Sequence, residues 1–197
     1  MNAKSLSLIR EVMVNSGKWR SLEISQDSIY LGFIDIELGT PKGDSNMALT
    51  IRFAEDSFLT LFYNDIWDID FLSRYNYKNQ LLSEEFLFNI KEVKFIDFEY
   101  LNTFFHNFKS EKTISVVEDF DIHNIRSDFF MLIECDDVAL VVGGNQMDFF
   151  TDYERLDDSS LVELSNQWML YFLRYHQKRN LIKDKMCENH PLIYTKK

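Results

Sequence analysis

The sequence predicts an α+β fold, in which antiparallel β-hairpins form one or two sheets that pack with an N-terminal helix, a middle helix and a long C-terminal helix. Apolar residues recur at helical spacing near both ends of the chain, and several short segments between them alternate apolar with polar residues. Hydrophobic residues make up 46% of the 197 residues and charged residues 27%, which is typical of a globular chain. We expect a single α+β domain over residues 1–197, in which residues 182–197 form a basic C-terminal tail.

The first part of the chain predicts a helix followed by a hairpin. Residues 3–14 carry apolar side chains at spacings of three and four, which indicates a short amphipathic helix. Residues 19–24 and 29–38 predict two strands around a turn at residues 26–28. Apolar and acidic residues alternate at the end of the second strand, which predicts that one face of the strand is buried. The apolar residues are Ile34, Ile36 and Leu38, and the acidic residues between them are Asp35 and Glu37.

The next part of the sequence, residues 39–63, predicts a loop and a second hairpin. Residues 39–46 contain three of the eight Gly and Pro residues of the chain, which indicates a loop. Residues 48–53 and 58–63 predict the two strands of the hairpin, with Glu55 and Asp56 at its turn.

The middle of the chain gives mixed signals. Residues 81–90 fit a helix with Ser83 as its N-cap, whereas residues 93–98 have the character of a strand. Asp97 is a candidate N-cap for the middle helix, and residues 113–117 predict another strand. The apolar residues of the middle helix recur at intervals of four and three: Leu101, Phe105 and Phe108.

The last third predicts a buried hairpin, a short strand and the long helix. Residues 129–134 and 138–142 are apolar enough for two buried strands, and residues 143–145 predict a hairpin turn into a strand at 147–150. A helix over 159–181 follows, in which the middle of the apolar stripe, at Trp168, is expected to be buried. That predicted stripe consists of Leu161, Leu164, Trp168, Tyr171 and Tyr175.

The charge of the chain is strongly negative and unevenly distributed. The whole chain has 21 basic and 32 acidic residues, a net charge of −11. Residues 1–173 have 14 basic and 30 acidic residues, a net charge of −16, and the remainder is therefore +5. An acidic body argues against binding to nucleic acid or to an anionic membrane, and it favours a basic protein partner.

Cysteine usage and hydropathy point to the cytoplasm. Cys135 and Cys187 form no paired framework, so we expect two free thiols in a reducing compartment. The longest apolar runs have five residues, whereas a membrane-spanning helix needs about 20. The oligomeric state does not follow from the sequence.

The motifs of common catalytic and cofactor sites are missing from the sequence. The four histidines show no metal-ligand spacing, no serine lies in a nucleophile motif, and no phosphate-binding loop is present. We therefore expect no cofactor, no bound metal and no enzymatic activity. One weaker alternative remains, since Asp70 with Glu92 and Lys94 resembles the carboxylate and lysine set of metal-dependent nucleases.

Two segments mix acidic with aromatic residues, and such mixtures suit protein interfaces, in which aromatic residues anchor and charges steer. The predicted partner-binding residues are Asp65, Trp67, Asp68 and Asp70 in the first segment, and Asp148, Asp152, Tyr153, Glu154, Asp157 and Asp158 in the second. By analogy of class, small acidic proteins without catalytic motifs include immunity proteins and antitoxins. We expect an inhibitor of this type, which occludes a basic toxic protein; the alternative is a non-catalytic scaffold or regulatory module.

Overall fold

The computed structural model describes residues 1–25, 27–39, 47–63, 87–107, 113–115, 125–135 and 138–188. Within these ranges the chain forms three helices: α1 (Ala3–Ser16), α2 (Phe98–Asn107) and α3 (Asp158–Glu188). The same ranges contain nine strands: β1 (Lys18–Ile24), β2 (Ser28–Ile36), β3 (Met47–Ala54), β4 (Phe58–Tyr63), β5 (Phe88–Ile96), β6 (Thr113–Ser115), β7 (Phe129–Cys135), β8 (Val138–Gly144) and β9 (Gln146–Thr151). The predicted α+β class and its three helices are confirmed.

The sheet is antiparallel and curves back on itself. The strands are hydrogen-bonded in the order β6-β4-β8-β7-β5-β1-β2-β3-β9. The chain joins the two ends of this order, because β3 runs on into β4 and β8 runs on into β9. Apolar side chains from both halves therefore meet in one core, to which β3 contributes Leu49, β4 Leu59, β8 Val142 and β9 Phe149.

Two of the predicted hairpins are corners instead, by which we mean bends at which the strands on either side pair with other strands and not with each other. β3 pairs with β2 and β9, whereas β4 pairs with β8 and β6, so the segment with Glu55 and Asp56 does not fold one strand onto the other. Both residues have a left-handed backbone, with φ of 57° and 52°. β8 and β9 likewise have different partners, and the N–H of Asn145 between them donates to the Glu55 carbonyl at 2.8 Å. This hydrogen bond joins the corner between β3 and β4 to the corner between β8 and β9, so the chain changes direction at the same place in both.

The predicted hairpins at β1–β2 and β7–β8 are confirmed by direct pairing. The alternation expected in β2 is interrupted, because Ile34 and Asp35 form a bulge between the pairs at Phe33 and Ile36. Asp35 is left-handed, with φ of 59°. Phe33 and Ile36 are buried, whereas Ile34 is only partly buried. The bulge therefore changes which residues face the core.

The middle of the chain differs from its prediction at one strand. Residues 88–90, expected at the end of a helix, begin β5, in which Phe88 and Ile90 are buried on either side of an exposed Asn89. A short apolar run fits a helix or a strand equally well, and pairing with β1 and β7 decides it here. Asp97 is the predicted cap of α2, since its carboxylate accepts from the Tyr100 N–H at 2.8 Å.

Among the described residues, helix α3 packs on the body through its first turns. Leu161 and Leu164 belong to the core, and the Leu164 carbonyl accepts from the Gly39 N–H at 2.9 Å. Trp168, which we expected to be buried, is only partly buried, and Tyr175 on the same stripe is 49% exposed. Among the described residues, no helix is both long and apolar enough to cross a membrane.

Candidate functional site

The described part of the second acidic and aromatic segment forms a tight turn after β9. The Thr151 N–H donates to the Glu154 carbonyl at 2.8 Å, and the Thr151 hydroxyl accepts from the N–H groups of Tyr153 and Glu154 at 3.2 Å each. The bridge between Phe150 and Arg155 closes the base of the turn. We call residues 152–154 the acidic turn. These hydrogen bonds hold the acidic turn in one conformation.

The acidic turn projects its side chains into solvent. Asp152 and Glu154 are both exposed, and Tyr153 between them is 57% exposed. The turn therefore presents an aromatic ring flanked by two carboxylates on a hydrogen-bonded backbone. Binding through such a turn costs little conformational entropy, because the backbone is ordered beforehand.

Asp148 lies beneath the acidic turn and is buried, at 5% exposure. Its carboxylate accepts from Gln146 Nε2 at 2.7 Å and from Arg155 Nη2, and it lies 3.5 Å from Arg52 Nη1. Arg52 is its cross-strand neighbour in the register of β3 and β9. Asp148 was predicted to contact a partner. It lies on the same face of the sheet as Arg52, opposite the core residue Phe149, and is buried there because polar side chains surround it. In this position it holds Arg155, the residue that follows the turn.

Asp157 and Asp158 connect the end of this segment to the starts of two helices. Asp157 caps α3, because its Oδ1 accepts from the N–H groups of Ser159 and Ser160 at 2.8 Å each. These bonds, above all the one from the Ser160 backbone, lower the pKa of Asp157 to about 2. The pKa of Asp158 is also lowered, first by the Ser5 hydroxyl and then by the Asn2 N–H, which donates to it at 3.1 Å.

The predicted residues of the first segment cannot be placed in the same way. Asp65, Trp67, Asp68 and Asp70 lie outside the described residues. Their expected role in partner binding stays a prediction.

A cleft of about 550 Å³ lies between α1 and the strands β5 and β7. Of the two described residues of the nuclease-like set, Glu92 lines this cleft, and Lys94 is the ion-pair partner of Glu92. Lys94 Nζ is 2.7 Å from Glu92 Oε2 and 3.6 Å from Glu134 Oε1. The cleft is lined by Arg10, Glu11, Val14, Asn15, Lys91, Glu92, Val93 and Glu134.

The chemistry of this cleft is that of an ion-pair cluster. The hydrogen bond that Lys94 donates to Glu92 raises the pKa of Lys94, so the lysine stays protonated and is not a base at neutral pH. Within the ranges that the structure describes, no three His, Cys, Asp or Glu side chains come together as a metal site would require. Asp70, the third member of the nuclease-like set, is outside those ranges.

Sequence reasoning missed the two arginines that hold Asp148. Arg52 and Arg155 are 103 positions apart, and neither lies in a recognisable motif. Only the pairing of β3 with β9 brings them to the same carboxylate. The alternation of Arg52 with Ile51 and Phe53 correctly predicts an outward direction, but not its partner.

Comparison of the chain with protein-family models, with curated proteins and with solved structures found no match.

Proposed function

We propose that the protein is an acidic inhibitor of the immunity or antitoxin type, which binds a basic toxic protein in the cytoplasm and neutralises it by occlusion. The observation that carries the proposal is the acidic turn, in which an exposed Tyr153 stands between the exposed carboxylates of Asp152 and Glu154. Exposed aromatic residues with a charged rim are typical of protein interfaces.

The charge of the body supports a basic partner. Residues 1–173 have a net charge of −16, and a potential of this sign attracts a basic protein over distances longer than any direct contact. The acidic turn adds two exposed carboxylates to this potential, in contrast to the buried Asp148 below it, whose charge is compensated by Arg52 and Arg155. In an enzyme that acts on phosphates, carboxylates can occupy the places of substrate phosphates.

The support below the turn favours rigid docking. Asp148, Arg52 and Arg155 tie the turn to β3 and β9, so Tyr153 is presented from the sheet rather than from a free loop. A partner that binds here meets a preformed surface, and affinity is then determined mainly by the dissociation rate.

The test is binding of the purified full chain to the product of the neighbouring gene, with kinetics measured at two salt concentrations. Association is expected to slow as the salt rises above physiological strength, where the Debye length is about 8 Å. Replacing Asp152→Lys and Glu154→Lys together should slow association further, because steering is lost. Tyr153→Ala should instead raise the dissociation rate about tenfold, since an anchor acts after docking.

The matched control is Glu23→Lys with Glu99→Lys. These acids are also exposed, lie outside the acidic turn, and change the net charge by the same amount. A slower association for this pair, equal to that of the turn variant, would show that only the total charge matters. A tight complex with an acidic and harmless partner would contradict inhibition and support the scaffold alternative.

A further inference from the structure

The first half of α3, up to its middle at Leu173, carries large apolar side chains in solvent. Met169 is 55% exposed and Leu173 is 50% exposed. With Val162 they form what we call the outer stripe, because spacings of seven and four place the three residues on one side of a helix. Leu170 and Phe172 are exposed beside it.

The part of the body that the structure describes does not cover this part of the helix. Helix α3 approaches the body closely at Gln167 and Trp168, where a Cβ on Gly39 would lie 2.7 Å from Gln167 Cβ and 2.9 Å from the Trp168 nitrogen. Two turns further on, even Tyr175, on the side of Leu161 and Leu164, is half exposed. A helix that is apolar on several sides is normally covered by another element.

The charges along α3 reverse at the outer stripe. Before Met169 the charged residues are acidic: Asp157 caps the helix, Asp158 begins it, and Glu163 lies in its second turn. After Met169 the next charged residues are basic, with Arg174 followed by Lys178 and Arg179. Such a pattern is complementary to itself when two copies lie antiparallel, and repels itself when they lie parallel.

We propose that the outer stripe is a homodimer interface, in which α3 of one copy packs antiparallel against α3 of a second copy with the two-fold axis near Met169. Glu163 lies six residues before Met169 and Arg174 five residues after it, so Glu163 of one copy faces Arg174 of the other across the axis. The pair forms twice, as an isologous interface requires. The proposal is independent of the inhibitor function, because the acidic turn is not part of this stripe.

Glu163 and Arg174 cannot form an ion pair with each other within one helix. Glu163 and Arg174 are eleven residues apart, or about 16 Å along the axis, which exceeds the reach of their side chains. Eleven residues correspond to about three turns, so both side chains leave the helix on the same flank of the outer stripe. In an antiparallel pair, that flank meets the same flank of the second copy.

The experiment measures the mass of the full chain in solution by sedimentation over a range of concentrations. The wild-type chain is expected to be dimeric at micromolar concentration. Met169→Glu should make it monomeric, because it places two carboxylates together at the axis. Glu163→Lys and Arg174→Glu should each raise the dimer dissociation constant roughly tenfold, and the double variant should restore it. Circular dichroism confirms that each variant is folded.

A mixture of the two single variants provides the decisive control. In the mixed dimer, the lysine introduced by Glu163→Lys in one copy would face the glutamate introduced by Arg174→Glu in the other. The native Arg174 and Glu163 would face each other at the second position, so the mixture should dimerise more tightly than either variant alone. A monomeric wild-type chain, or a dimer that ignores Met169→Glu, would overturn the proposal. Failure of the double variant and of the mixture to recover would overturn the antiparallel arrangement.

Discussion

Replacing Gly144 with alanine is expected to destabilise the corner between β8 and β9. A Cβ at this position would lie 2.8 Å from the Ala54 carbonyl oxygen and 3.1 Å from the Ala54 nitrogen. Both atoms belong to the backbone of the other corner, which is tied to this one by the hydrogen bond from Asn145 to Glu55. Neither strand can move alone, so the added methyl group has to displace both.

The size of the effect follows from these contacts. An alanine in place of glycine reduces the entropy of the unfolded chain, which stabilises a protein by about 0.4–1 kcal/mol at a position without strain. Overpacking against fixed atoms costs about 1–3 kcal/mol. At Gly144 the second effect is larger, so we expect a net loss of about 1–2 kcal/mol in the free energy of unfolding. For a chain of this size that lowers the melting temperature by roughly 2–8 °C.

Gly32→Ala is the matched control in another strand. Its added Cβ would lie 2.0 Å from Ser21 Oγ, which is the end of a side chain that can rotate away, and 3.4 Å from Ser21 Cβ. We expect this variant to be neutral or slightly stabilising. Urea unfolding followed by circular dichroism measures both variants. Equal stability of Gly144→Ala and Gly32→Ala would refute the argument that the two corners are locked together.

Two further predictions concern α3. Because the pKa of Asp157 is lowered from 3.8 to about 2, its carboxylate stabilises the fold above pH 4, and that contribution is lost as the pH falls towards 2. Asp157→Ala should therefore flatten the decline of stability between about pH 4 and pH 2 in urea titrations; an unchanged decline would contradict this role. Trp168→Ala should lower the free energy of unfolding by about 1.5–3 kcal/mol, below the ~3–5 kcal/mol of a fully buried aromatic residue, because the ring is only partly buried. A larger loss, measured on a monomeric sample, would mean that the ring is covered more completely than the structure indicates.

Features that depend on neighbouring residues were predictable. The spacing of apolar residues predicted α1 and α3, and the carboxylate of Asp97 was recognisable as a helix cap because capping needs a short acceptor at that position. The hairpins β1–β2 and β7–β8 were predictable for the same reason, since their paired strands are only two or three residues apart along the chain. These interactions span a few residues, and their residue types are constrained locally.

The corners were predicted as hairpins because a corner and a hairpin turn use similar residues and similar backbone conformations. Glu55 and Asp56 take up left-handed backbone conformations, and a hairpin turn can require the same conformation. What differs is the partner of each strand, and the partners β9 of β3 and β8 of β4 lie far along the chain. No pattern of neighbouring residues contains that information.

The candidate site also has features that the sequence determined and features that only the tertiary structure decided. The sequence by itself determined that residues 148–158 mix acids with aromatic residues and that the body is acidic. Only the tertiary structure decided that Asp148 is buried between Arg52 and Arg155 while Tyr153 is exposed, because burial depends on the strand that lies alongside. It also decided where α3 leaves the body. Helical spacing predicts that a stripe is apolar, but whether that stripe faces a core or solvent depends on how far the rest of the fold extends beneath it.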